Sequence, residues 1–354
     1  NKLKNIRISK VVIVSILFIL AIMNLIGALA PPTLADSMNH HFAAPKYYSS
    51  INGFPFIPIS PWPLPGLIHV LFTKSLILSE PVSCQLIIFI FSVLTTYVVY
   101  FIGNKYWGSK VGLMASLIYY TLPLTTELST GAMPEHASNF LSLLSILAIL
   151  NSFKANKYYS IILLLLSGLL AGSAGATKVW ALLGGPSSII VILYLGYRNS
   201  NELKDIFISL TAFSLAYGII LVPWFIRNYI SGGDPLWPLG NSFFNTQYFN
   251  EISALKYSNW NRGPDGTFLN YLLTPWNLTN NISKYSSGAG AINHFLINPM
   301  FLAFIPSAFI FWDKYNSIQK QLFSAICLFS IGIFTIWFLG GYTQPRYLQL
   351  IYPG

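Results

Sequence analysis

The chain has 354 residues, with 20 Lys and Arg against 10 Asp and Glu, so 8% of it is charged while 54% is hydrophobic. A soluble domain carries roughly 25% charge, which excludes that class, and the repeated apolar runs of roughly 18 to 20 residues have the length that crosses a bilayer. The net charge of +10 is scattered in ones and twos at the ends of those runs instead of forming one basic stripe, so no nucleic-acid partner is expected.

The pattern predicts an all-α polytopic membrane protein, a single transmembrane domain over 1–354 with about nine spans, at 10–30, 82–102, 110–124, 136–152, 159–177, 179–197, 206–224, 299–312 and 320–339. The first run is longer than a secretory signal and reads as an anchor. Between the spans lie two long segments, 31–81 and 225–298, rich in Pro, Gly, Asn, Trp and Tyr, a composition of folded loops resting on the membrane. Within the first, Leu64 to Leu78 is apolar but short and bounded by Pro65 and Pro81, which predicts an interfacial helix. The sequence stops at Tyr352-Pro353-Gly354 as a new apolar stretch begins, so truncation at the C-terminus is expected.

Orientation follows from the distribution of basic residues. Lys2, Lys4, Arg7 and Lys10 precede the first span, and Lys105/Lys110, Lys154/Lys157, Arg198/Lys204 and Lys314/Lys320 fill alternate connections. That places the N-terminus inside a cytoplasmic membrane and the segments 31–81 and 225–298 outside it. Seven acids (Asp36, Glu80, Glu127, Glu135, Asp234, Glu251 and Asp265) and all five histidines then fall on the non-cytoplasmic face. Cys84 and Cys327 lie inside apolar runs without a CxxC spacing, so neither a disulfide framework nor a thiolate metal site is suggested.

Candidate chemistry concentrates outside. Asp36 directly follows the first span, where a carboxylate can take a proton from an attacking hydroxyl; it is equally placed to cap a helix starting at Ser37. Glu135 and His136 open the fourth span. A second acid there could face Asp36 across a cavity and position an acceptor or share a metal, with Asp36, Glu135 and His136 as the candidate ligands, whereas a plain helix-dipole role explains an acid at that position too. Lys178, Arg227 and Arg346 each stand at the outer surface, suited to a lipid phosphate or to snorkelling into the head groups. The run Gly168 to Lys178 has its Thr and Lys in the wrong order for a phosphate loop and reads as small-residue helix packing.

The segment from Asp36 to Tyr48, with His41 and Pro45-Lys46-x-Tyr48, resembles the first external loop of the GT-C superfamily of membrane glycosyltransferases, which includes protein O-mannosyltransferases and the lipid A aminoarabinose transferase. Further echoes run in order along the chain: the Gly-rich exit to Lys178, Pro223-Trp224 through Arg227-Asn228-Tyr229 to Gly233-Asp234-Pro235, Thr274-Pro275-Trp276, Pro299-Met300-Phe301-Leu302 and Arg346-Tyr347. The resemblance implies a GT-C-like transmembrane bundle whose external loops carry short interfacial helices. It implies an enzyme that moves a sugar from a polyprenyl-phosphate donor to a lipid, glycan or protein acceptor. Asp36 then matches the catalytic acid and Glu135 the second acid, while His41, Lys46, Lys178, Arg227 and Arg346 would hold the phosphate or the sugar. His40 stands where an aromatic is expected. No cofactor is required by this reading, although a divalent metal is compatible with it. The alternatives are a lipid-linked glycan ligase or polymerase, and a transporter or flippase; the latter needs ionisable groups at mid-membrane, whereas here the charges sit at helix ends and in loops.

Overall fold

The structure is a computed structural model that describes residues 2–199, 202–244, 246, 248–250, 252–253, 266–280, 306, 309–340 and 348. Among them every regular element is a helix. In chain order these are α1 (Lys2–Leu29), a π-helix (Ser37–Phe42), α2 (Ala43–Ile51), α3 (Leu67–Leu78), α4 (Val82–Trp107), α5 (Ser109–Tyr120), α6 (Pro123–Ser129), α7 (Glu135–Ser152) and α8 (Lys157–Thr177). A 3₁₀ turn (Val179–Leu183) leads to α9 (Gly184–Arg198), followed by α10 (Leu203–Gly232), α11 (Asn241–Phe244), α12 (Phe268–Asn280) and α13 (Ser317–Leu339). In a bilayer every backbone N–H and C=O must be satisfied internally, and helices do this within one segment.

Six stretches among the described residues are long and apolar enough to cross a membrane: Lys10–Leu29, Val82–Trp107, Lys157–Thr177, Val179–Arg198, Leu203–Gly232 and Ser317–Leu339. The protein is therefore an integral membrane protein of the all-helical kind. The expected span at 110–124 is divided, because α5 stops at Tyr120 and Pro123 starts a new helix after an extended Leu122. A residue before proline is pushed out of the helical region by its Cδ. At 12 residues, α5 rises only about 18 Å. Residues 135–152 form a helix of 18 residues whose inward face is polar, with Glu135, His136, Ser138, Asn139, Ser142, Ser145 and Ser152 all buried. Of 299–312, only 306 and 309–312 are described.

The central packing unit is α7, α8 and α10. Ser145 and Ser167 each donate to the other's backbone carbonyl at 3.0 Å, with their hydroxyls 2.8 Å apart. Gly168 and Gly172 of α8 face α10 so closely that a Cβ at Gly168 would lie 2.2 Å from the Phe213 carbonyl oxygen, and one at Gly172 2.6 Å from that of Tyr217. This is the small-residue packing expected of the glycine run, which lets backbones approach where lipid supplies no hydrophobic drive between helices. The apolar core joins Ile149, Leu164, Phe213, Val191 and Ile192 to Phe329, Ile333 and Trp337 of α13.

The two ends of the bundle differ chemically. At one end Lys10 donates to Ser109 at 2.7 Å, Lys105 to Asn151 at 3.2 Å and Lys157 to Asp205 at 2.9 Å, while Lys154 lies 4.9 Å from the Tyr106 ring centre. The opposite end carries the first loop, the start of α7 and the ends of α8 and α10.

Replacing Gly168 by Leu should cost about 1–3 kcal/mol or more by forcing α8 off the α10 backbone, read as a lowered thermal midpoint in detergent. Gly218→Ala, at a position where a Cβ meets nothing within 4 Å, should leave that midpoint unchanged or raise it.

Candidate functional site

The first loop is fastened to the bundle at several points. Gln85 of α4 donates to the Ala28 and Ala30 carbonyls at 2.8 Å each, turning the chain as it leaves α1. Leu34 lies against Gly131, where a Cβ would meet its Cδ1 at 2.4 Å. Phe42 is buried with Ile68, Phe72, Cys84, Ile88, Ala132 and Ala137, so the π-helix, α3 and the start of α7 share one apolar contact. Farther along the loop, Arg227 donates to the Pro63 carbonyl and to the Asn228 amide oxygen, and Asn228 donates to Pro63 at 2.9 Å.

Asp36 is exposed at the entry to the π-helix. It occupies the N-cap position with helical backbone angles and makes no side-chain cap bond, so the capping alternative is not realised. Asp36 sits on an element packed directly against the turn that leads into α7. Lys46 is exposed on α2.

Below this loop, Glu135 and Lys178 form an ion pair of 2.8 Å, with side-chain exposures of 4% and 15%. Glu135 is the first residue of α7, and Lys178 follows the last turn of α8. The antiparallel α7–α8 contact brings the two to the same level. Such a pair, out of water, holds together only if its geometry is good, and losing one partner strands the other charge.

His136, a neighbour of Glu135, has both ring nitrogens engaged within the fold: Nε2 lies 3.0 Å from the Thr125 carbonyl and Nδ1 3.1 Å from the Tyr119 hydroxyl. Its part is to join α7 to α5 and α6. It offers no free lone pair to a metal.

A different histidine group forms at this end. His40 and His41 of the π-helix meet His69 of α3, with ring centres 4.5 to 5.1 Å apart. His41 Nδ1 lies 2.8 Å from His69 Nε2. The π-helix matters here, because its wider turn leaves consecutive side chains closer in direction than an α-helix does, and such single turns are frequent at functional sites. Burial, and then the Lys178 charge, pushes the His69 pKa down to about 3, and burial, His69 and Lys178 together hold His40 well below the usual imidazole range. Both rings are therefore neutral at neutral pH. The Lys178 charge thus acts on both rings.

Arg227 and Asn228 extend α10 instead of opening the following loop as expected, since the helix continues through Pro223 to Gly232. The Arg227 guanidinium also lies 5.0 Å from the Trp224 ring centre. Asp234, just beyond, is fully buried, accepts from the Leu236 N–H at 2.8 Å, and is shifted upward by burial. Arg346 lies outside the described residues, as do His294, Glu251 and Asp265. Of the expected site residues, the fold thus places His41, Glu135 and Lys178 at the bundle end that carries the first loop. His69 and the pairing of Glu135 with Lys178 were not foreseen. A histidine on an apolar interfacial helix was the only signal for the first.

A family model described as a domain of unknown function (DUF8201) matches residues 69–348. No curated protein matches the chain. Among solved structures, the chain is similar to ArnT from Cupriavidus metallidurans bound to undecaprenyl phosphate, with a TM-score of 0.60 and 14% identity over 97% of this chain and 57% of that chain. The apo form of the same protein gives 0.61 and 13% over the same shares. The likeness shows a shared fold, the GT-C type of bundle that the first-loop resemblance implies, and the chain spans 57% of the length of that protein.

Lys178→Met should destabilise the protein by about 3–5 kcal/mol by leaving Glu135 buried and uncompensated. Combining it with Glu135→Gln should cost less than the sum of the two single changes, which a double-mutant cycle on unfolding in detergent would read as a favourable coupling.

Proposed function

The chain belongs to the DUF8201 family, and we propose that it is a membrane glycosyltransferase that takes a sugar from a polyprenyl-phosphate carrier and passes it to a lipid, glycan or protein hydroxyl on the non-cytoplasmic face. One observation carries this reading: an exposed carboxylate, Asp36, stands on a loop clamped over a buried cation–carboxylate pair at one end of a bundle shared with ArnT. The ArnT structure with undecaprenyl phosphate bound supports a carrier lipid of that chemical class.

In this reading Asp36 accepts the proton of the acceptor hydroxyl as its oxygen attacks the anomeric carbon, and the bond from that carbon to the carrier phosphate breaks. General-base assistance of this kind contributes about 10²–10⁴-fold. The departing phosphate gathers negative charge, and fixed cations in a water-poor site stabilise it without reorganising. Lys178 is assigned this role, and Glu135, 2.8 Å from it, that of holding it in place; its burial against Lys178 suits it better to positioning than to a second proton transfer. Lys46, exposed on α2, and Arg346 are the further candidates for the phosphate, and His41 is assigned to the same site. Arg227, committed to the Pro63 carbonyl, is assigned to fixing the loop that carries Asp36. The basic bundle end, with Lys10, Lys105, Lys154 and Lys157, supports an N-terminus inside the cytoplasmic membrane and a site on the other face.

Transfer of radiolabelled sugar from polyprenyl-phosphate monosaccharides, measured in membranes carrying the full-length protein, should fall about 10²–10⁴-fold in Asp36→Asn at equal expression. Because Asp36 is exposed, its thermal midpoint should stay that of wild type. Equal transfer by the two proteins would remove Asp36 from the chemistry, and no transfer from any such donor would overturn the reading.

A further inference from the structure

We infer that His40, His41 and His69 form a binding site for a transition-metal ion of the Zn²⁺ class, open at one coordination position. Each ring offers one nitrogen, and these three atoms all lie within 4.8 Å of one another. The inference does not depend on sugar transfer, and it involves neither Asp36 nor the Glu135–Lys178 pair as ligands.

The donor set fits the ion. Neutral imidazole is a preferred ligand of Zn²⁺ and its neighbours, and three histidines with a fourth place left to water or another oxygen is a recurrent arrangement for zinc held at 2.0–2.1 Å. Tetrahedral ligands at that distance stand about 3.3 Å apart. The His41–His69 contact of 2.8 Å would open by about 0.5 Å and the widest pair would close by about 1.5 Å, changes within the reach of side-chain rotation. On binding, the proton that lies between His41 Nδ1 and His69 Nε2 moves to the other nitrogen of the ring that carries it, so both rings stay neutral and each presents a lone pair to the ion.

Two features point to a ligand rather than to packing alone. His40 Nδ1 is buried without a hydrogen-bond partner among the described residues, which costs free energy unless something occupies its lone pair or proton. His69, for its part, is set against Gly66, where a Cβ would lie 2.8 Å from Nδ1, so the absent side chain leaves room for the ring in this orientation. The Lys178 ammonium nearby opposes a cation, and Glu135 at 2.8 Å from it offsets that repulsion.

The site also explains a placement that packing does not require. Three imidazoles drawn from a π-helix and a separate interfacial helix, at a depth where burial disfavours the charged forms of His40 and His69, would otherwise be an arrangement of polar rings in a largely apolar contact. A bound ion would tie the π-helix to α3 within the first loop, and its open position would accept an anionic or neutral oxygen.

The test uses the purified full-length protein in detergent, stripped with a chelator and titrated with Zn²⁺ alone against a chromogenic competitor, with Co²⁺ substitution to read coordination from its visible spectrum. One equivalent should bind, the Co²⁺ spectrum should be that of a four-coordinate site with nitrogen donors, and His69→Gln and His40→Gln should each weaken binding by at least about tenfold. His40→Gln is the safer variant, since His40 Nδ1 has no hydrogen-bond partner among the described residues to lose; circular dichroism and the metal-free thermal midpoint would verify that it folds. Failure of the stripped, folded wild type to bind either ion, or binding that is unchanged in a folded His40→Gln protein, would overturn the inference.

Discussion

The close contact of α8 with α7 on one side and α10 on the other governs the rest of the molecule. Within a bilayer the helices gain little from burying apolar surface against each other, because lipid tails are equally apolar, and association depends on close packing and on hydrogen bonds between helices. Gly168 and Gly172 allow the α10 backbone to within van der Waals reach, and the Ser145–Ser167 pair locks the opposite face of α8 to α7. Each interhelical hydrogen bond is worth only about 0.6 kcal/mol, but together they fix the register. That register sets where the end of α8 lies relative to the start of α7, and hence that Lys178 meets Glu135.

The ion pair in turn explains why the bundle end beneath the first loop can carry charge at all. A lone carboxylate or ammonium there would shift toward its neutral form or drag water with it. Paired at 2.8 Å, the two offset each other's charge and both remain ionised. The loop above is not a loose connection. Gln85, Asn228 and Arg227 satisfy its carbonyls, and apolar side chains from α3, α4 and α7 close around Phe42. Side chains that act on a substrate need such support, since a carboxylate on a wandering loop would be misplaced by more than reactive geometry tolerates.

The same division of labour appears in the histidines. His136 serves the scaffold, with both nitrogens bound to neighbouring helices, while His40, His41 and His69 face one another across two elements. Residue type alone does not separate these roles. The lone pair of a histidine is available or spent according to what the neighbouring backbone offers it.

Much of the fold was legible in the sequence for a local reason. The length of an apolar run, the charge at its ends and the small residues along one face act over a few turns, so the helical membrane class, the spans of α1, α4, α8, α10 and α13 and the glycine interface could be read directly. Pro123 marks the break between α5 and α6 equally locally, yet Leu122 and Leu124 on either side of it make the apolar run from 110 look continuous. The first-loop pattern also pointed to the segment that the structure folds as the π-helix and α2. Tertiary structure decided what meets what. His41 and His69 are 28 residues apart and on unlike elements, and no periodicity links them; Glu135 and Lys178 open and close different helices, and Arg227 reaches back to Pro63. Those contacts depend on helix register and on how a loop folds over the bundle, and both are properties of packing across the chain rather than of any segment within it.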